Sequence, residues 1–283
     1  MSVAMFSEGF ELPQGVMTYT DVRYAPEVSE ACKLDIFVPE GDRAMLLPTV
    51  MSIHGGCWDS GSRVDQWKLC SQFALQGWIA IAVDYRLSDE APFPAAVTDL
   101  RHAIRFLKAH AMDFGINRHC IVAHGHSAGG HLAAMLGVLP EELIWDDDRA
   151  FPEISSKCDG VISVAAHYDL QGVADTVIDE RTLTALKKFL PSADDDLSEG
   201  LRLASPEFYV DENAARFMVV HGDADKVAPF YHAEVFADNV EGETSKPAEL
   251  ITLRGEGHKI WENPAVFPEM TRFLAKLRES RNA

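Results

Sequence analysis

The chain is 283 residues long, with 47% hydrophobic and 24% charged side chains, ordinary globular usage that excludes fibrous and disordered classes. Acidic residues outnumber basic ones 44 to 25, and the formal charge of −19 repels phosphate backbones and anionic lipid headgroups alike, so neither nucleic acid nor membrane partners are expected. No apolar run reaches the roughly 20 residues that span a bilayer, and residues 1–14 lack a basic region followed by an apolar one. Cys32, Cys57, Cys70, Cys120 and Cys158 are odd in number and without CxxC spacing, which predicts reduced thiols in a cytoplasmic chain and argues against a zinc site. Asp146, Asp147 and Asp148, and again Asp194, Asp195 and Asp196, lack the alternating ligands and turn glycine of calcium loops; both clusters are expected to be solvated surface. With no linker, repeat or low-complexity tract, residues 1–283 are expected to form one domain.

In chain order, alternation over 16–25 and 33–38 predicts two strands in an antiparallel opening. Short apolar runs follow at 48–53, 78–83, 120–124, 160–166, 216–222 and 248–253, as expected of strands buried on both faces. Helical patterns separate them at 63–76, 94–111, 128–137, 230–240 and 264–278. The second of these is clearest, because Ala96, Leu100, Ala103, Ile104 and Leu107 share one face, Pro94 sits in the first turn and Gly115 follows the end. Such alternation predicts an α/β fold with a mostly parallel sheet of about eight strands and helices on both faces. Residues 168–208, helical and acidic, break the rhythm and are expected to be a small insertion over the sheet's edge.

The segment AHGHSAGGH, residues 123–131, lies where a predicted strand gives way to a helix. Gly125-His126-Ser127-Ala128-Gly129 there has the G-x-S-x-G spacing of a nucleophile elbow, in which a serine stands on a strained turn and flanking glycines keep the neighbouring backbone clear. A metal reading would rest on His124, His126 and His131, but the turn interrupts the strand, so the two-residue spacing does not place His124 and His126 on one regular face; the Walker lysine of a phosphate loop is also missing. After the strand at 48–53 comes His54-Gly55-Gly56-Cys57-Trp58, a glycine-rich loop whose N–H groups can approach a substrate oxygen closely. Two carboxylates, Asp223 and Asp225, follow the strand at 216–222, and either qualifies chemically to orient a histidine. His258 follows the strand at 248–253 among small residues, as a general base requires. Ser, Asp, His is the chain order of the α/β-hydrolase fold.

These segments, with VDYRLSDEAPFPAAVTDL and ASPEFYV, resemble the esterase/lipase group of α/β-hydrolases, near the BD-FAE-type and hormone-sensitive-lipase-like carboxylesterases. Tyr85, Arg86, Leu87, Pro92 and Asp99 match that group's pattern position by position. The resemblance implies Ser127 as nucleophile, His258 as general base, and Asp225 rather than Asp223 as the acid, since the group's HGxxD pattern uses the later aspartate. It implies N–H groups of Gly56, Cys57 and Ala128 for the oxyanion, no cofactor and no metal. The implied substrate is a small short-chain acyl ester, with acetyl or aromatic-acid esters of carbohydrates within range; assembly into a homo-oligomer is left open. Cys57 replaces a third glycine common in lipase-like relatives, and HGG-x-W is similar to kynurenine formamidases, which keeps an arylformamidase as an alternative. A catalytically inactive binding protein on the same fold is the alternative of another class, disfavoured because all three triad residues stand in their motifs. The long N-terminal cap of hormone-sensitive-lipase relatives has no counterpart, so a more open acyl pocket is expected.

Overall fold

The computed structural model describes residues 10–41, 45–143, 151–175, 180–191, 197–246 and 248–282; both triple-aspartate clusters lie outside them. The chain opens with β1 (Val16–Arg23) and β2 (Lys33–Pro39), then β3 (Leu47–Ile53), a 3₁₀ turn at Arg63–Gln66, α1 (Trp67–Leu75) and β4 (Ile79–Val83). Next come α2 (Ala95–Ala109), α3 (Ala111–Phe114), β5 (Ile116–His126), α4 (Ala128–Val138) and β6 (Gly160–Val164). α5 (Leu170–Asp175), α6 (Glu180–Phe189) and α7 (Ser198–Leu203) precede β7 (Arg216–Gly222), and α8 (Phe230–Glu243), β8 (Glu249–Leu253) and α9 (Val266–Asn282) complete the order.

One eight-stranded sheet runs β1-β2-β4-β3-β5-β6-β7-β8, in which β2 is antiparallel to both neighbours and all other pairs are parallel. This is the fold class expected from the strand–helix alternation. Strands β4 and β6 are buried along their whole length, which is why they are unbroken apolar runs, whereas edge strand β1 alternates in burial. One apolar layer gathers Leu100, Ile104, Leu132, Phe217 and Phe236 from α2, α4, β7 and α8; the other gathers Trp67, Phe73, Met218, Phe273 and Leu274 from α1, β7 and α9. Each such side chain contributes about 1.5–3 kcal/mol by leaving water.

Three local expectations are corrected. The helix expected over 63–76 starts as a 3₁₀ turn, where the Ser62 N–H donates to the Asp65 carboxylate at 2.9 Å. The helix expected to Ala111 stops at Ala109 and a separate short helix follows. β5 is far longer than residues 120–124, because polar Asn117, Arg118 and His119 separate buried Ile116 from the apolar run.

The register aligns the functional loops. Ile53 pairs with Gly125, His126 with Val164, and Gly222 with Leu253, so the connections leaving β3, β5, β6, β7 and β8 emerge together at the carboxyl edge of the sheet. Within residues 168–208, α6 reaches the loop that follows β3 at this edge: Phe189 stacks on Trp58, and the Phe93 N–H donates to the Phe189 carbonyl at 2.6 Å.

Candidate active site

Ser127 stands between β5 and α4 with φ 53° and ψ −124°, a conformation that a residue with a side chain keeps only where its surroundings impose it. Its N–H donates to the Val164 carbonyl at 2.9 Å, and its own carbonyl accepts from His131 N–H at 3.0 Å. The glycines are obligatory: a Cβ on Gly125 would lie 2.3 Å from the Gly129 carbonyl carbon, and one on Gly129 would lie 2.2 Å from the Ile53 carbonyl oxygen. The elbow thus packs directly on the end of β3.

His258, in the loop after β8, places Nε2 3.0 Å from Ser127 Oγ and Nδ1 2.8 Å from Asp225 Oδ2. A carboxylate only accepts, so Nδ1 carries the proton and Nε2 is left to accept from the serine hydroxyl. Asp225 Oδ1 accepts from the Val227 and Ala228 N–H groups at 2.8 and 2.9 Å. Burial pushes the Asp225 carboxyl up, but hydrogen bonds from His221, His258 and the Ala228 backbone outweigh it and hold the group well below the usual carboxylate range. Asp223 is exposed and turned elsewhere; its Oδ1 accepts from Gly255 N–H at 2.6 Å and so anchors the loop that bears His258. Gly222 admits that loop, since a Cβ there would lie 2.3 Å from the Glu256 carbonyl.

After β3, Gly56, Cys57 and Trp58 have φ of 121°, 53° and 59°, three consecutive left-handed residues. Side chains from distant elements hold this loop. The Trp58 indole N–H donates to His131 Nδ1 at 3.1 Å, and His131 Nε2–H donates to the Ala204 carbonyl at 2.7 Å. Asp59 pairs with both terminal guanidinium nitrogens, Nη1 and Nη2, of Arg181 on α6. The motif residues find roles here as well: the Tyr85 hydroxyl donates to the His54 carbonyl at 3.1 Å with the two rings stacked, and Arg86 forks onto buried Asp99, tying α2 to the loop after β4. Ala128 is buried and opens α4. Gly56, Cys57, Ala128 and Ser127 therefore lie on the two connections that the register brings side by side.

The three histidines around the serine have separate duties. His124 Nδ1 is 2.9 Å from Ser52 Oγ, His126 stacks on Trp261 with centroids 4.3 Å apart, and His131 bridges Trp58 and Ala204. Among the described residues no group of three or more His, Cys, Asp or Glu is placed to hold a metal ion. No disulfide joins any of the five cysteines, four of which are buried. A cleft of about 890 Å³ runs between the loop after β3, α1 and the start of α9, lined by Gly56, Gln66, Gln72, His126, Trp261 and Asn263 among others. Trp261 also meets His258 edge-on at 5.8 Å, so the cleft wall touches the ring that faces Ser127. Among the described residues no helix is long and apolar enough to cross a membrane. Sequence reasoning missed His221, Trp261, Arg181 and Phe189, because what makes them matter is contact across the fold.

This sheet order, with the serine on a strand-to-helix elbow and an aspartate and a histidine on later loops of the same edge, defines an α/β-hydrolase. The chain belongs to the BD-FAE family, whose model matches residues 34–240. It is similar to the mycobacterial esterase LipC of Mycobacterium tuberculosis, 31% identical over 214 residues that cover 75% of this chain and 52% of that protein. It is also similar to a kynurenine formamidase of Danio rerio, 27% identical, with 63% of this chain and 56% of that protein covered. The structure of a truncated carbohydrate esterase from gut microbiota shares the fold, with a TM-score of 0.78 at 24% identity, covering 92% of this chain and 96% of that one. The chain spans about half the length of the curated relatives first matched.

Proposed function

We propose that this protein is a serine carboxylesterase cleaving short-chain acyl esters through an acyl-enzyme. The observation that carries the reading is the continuous hydrogen-bond chain from Ser127 Oγ through His258 to Asp225, at 3.0 and 2.8 Å. In it Ser127 attacks the ester carbonyl, His258 takes the hydroxyl proton and returns it to the leaving alcohol, and Asp225 stabilises the imidazolium. The N–H groups of Gly56, Cys57 and Ala128 stabilise the oxyanion, at about 3 kcal/mol per donor in comparable sites. The cleft beside Trp261 receives the alcohol part, and the exposed amide of Gln72 in its wall suits a hydroxyl-bearing alcohol such as a sugar. The described residues act as one hydrolase domain.

Turnover of p-nitrophenyl esters from acetyl to decanoyl, and of acetylated and feruloylated sugars, tests the reading. Hydrolysis by the wild type, its loss in Ser127→Ala by at least about a thousandfold, and labelling of Ser127 by an organophosphonate are expected. A folded Ser127→Ala protein with undiminished turnover overturns it. A second reading, an arylformamidase, is favoured by Trp58 in HGG-x-W and by the match to the fish kynurenine formamidase. N-formylkynurenine in the same panel separates the two: a kcat/KM above that for every ester makes the formamidase reading the better one.

A further inference from the structure

His221, one residue before the end of β7, is fully buried and shares the sheet face of Phe217 and Val219. Its Nε2 lies 2.9 Å from the Ala228 carbonyl oxygen and 3.3 Å from Asp225 Oδ2. Both oxygens only accept, so Nε2 bears the proton; Nδ1 has no hydrogen-bond partner among the described residues. A buried nitrogen left bare costs about 1–3 kcal/mol, which an apolar side chain under α8 would avoid. The cost is offset in the turn from Asp225 to Ala228. That turn is closed on one side by Asp225 Oδ1, which takes the Val227 and Ala228 N–H groups, and on the other by His221, which takes the Ala228 carbonyl. Asp225 Oδ2 consequently sits between two imidazole N–H groups, 2.8 Å from His258 and 3.3 Å from His221.

We propose that His221 is a positioning residue: its single N–H fixes the Asp225–Ala228 turn and thereby the direction in which the Asp225 carboxylate meets His258. The proposal rests on the reading of Ser127, His258 and Asp225 as the working triad. The titratable groups that face His221 are Asp225 in the turn, His167 after β6 and His232 on α8, and His258 lies across Asp225.

Four variants test it: His221→Leu removes the donor, His221→Gln puts an amide N–H near the old Nε2, His221→Asn has an amide too short to reach Ala228, and Asp225→Asn is the control. With p-nitrophenyl acetate, His221→Leu lowers kcat by about 10- to 100-fold, the range seen when an orienting partner of a functional imidazole is removed. KM is retained, because the substrate touches none of these atoms. The acid limb of kcat/KM against pH moves to lower pH, since a misdirected carboxylate holds the triad's proton less strongly. His221→Gln regains most of kcat and the wild-type limb. A His221→Leu enzyme with wild-type kcat and an unmoved acid limb overturns the proposal, as does a His221→Gln enzyme no better than His221→Leu. If circular dichroism shows His221→Leu unfolded, Gln is compared with Asn: recovery by Gln alone supports the proposal, and equal kcat in both overturns it. Full activity in Asp225→Asn refutes the triad reading itself; a crippled Asp225→Asn beside an unaffected His221→Leu refutes only the role of His221.

Discussion

Phe189 stacks on Trp58 with ring centroids 4.7 Å apart and planes 18° from parallel, so α6, between β6 and β7, grips the loop after β3. The grip is needed because Cys57 and Trp58 both hold positive φ, and each such residue costs on the order of 1–3 kcal/mol unless its neighbours impose it. The Asp59–Arg181 pair lies beside it, but Arg181 is half exposed, so the stacked ring is the stronger constraint.

Phe189→Leu keeps an apolar filler and removes the stack. It is expected to lower kcat/KM on acetyl esters by about tenfold, equivalent to the roughly 1.4 kcal/mol an aromatic pair contributes beyond its area. Phe189→Ala adds a cavity and costs about 3–5 kcal/mol of stability. Urea unfolding alongside kinetics separates the two; a Phe189→Leu enzyme with wild-type kcat/KM shows that the loop is held without the stack.

The two aspartates after β7 are predicted to differ sharply. Asp225→Asn removes the charge beside His258 and presents an amide that favours the wrong tautomer, so kcat drops by up to about 10⁴. Asp223→Asn keeps an oxygen for the Gly255 N–H and changes kcat little. Steady-state kinetics of both, with circular dichroism as the fold control, decide; a reversed order puts the acid at Asp223.

Gly222→Ala drives a methyl to 2.3 Å from the Glu256 carbonyl and pushes the His258 loop outward. An ångström of misplacement in a reacting group costs about 10²-fold in rate. The loss is expected in kcat, with the sheet intact by far-ultraviolet circular dichroism; a variant of normal kcat would show that the loop yields without moving His258.

The elbow was legible in the sequence because steric necessity writes itself as residue type: only glycine fits at 125 and 129. The parallel sheet was legible because strands buried on both faces must be apolar throughout. Asp225 was not separable from Asp223 by chemistry, since what distinguishes them is which carboxylate turns back onto the Val227 and Ala228 amides. The start of β5 was hidden because exposed Arg118 and His119 interrupt its apolar pattern. Phe189 and His221 were illegible for a simpler reason: one lies 131 residues from Trp58 in the chain, and the other reads as one more strand residue until its turn is folded against it.

Acid should unfold this protein from an unusually high pH. Burial holds His124 and His167 down at about 3 and His126 and His131 down at about 4, whereas in the unfolded chain each returns to about 6.5. Between pH 6.5 and 4 the unfolded chain therefore binds protons that the native one refuses, and stability falls as pH falls, by up to about 1.4 kcal/mol per pH unit for each histidine. Glu207 acts in the opposite sense. Burial raises it to about 7, so below that pH the native state binds a proton before the unfolded one does, and it cancels about one histidine down to the ordinary glutamate range. Asp225, held low, adds its own loss further into acid. The net expectation is a melting temperature level between about pH 7 and 8 that drops steeply from 6.5 to 4.5. His167→Gln, at a position whose Nδ1 has no hydrogen-bond partner among the described residues, should flatten that drop by about one proton's worth. Calorimetric melts at half-unit pH steps measure both; a melting temperature level down to pH 4.5 would mean that these histidines take up protons in the folded protein.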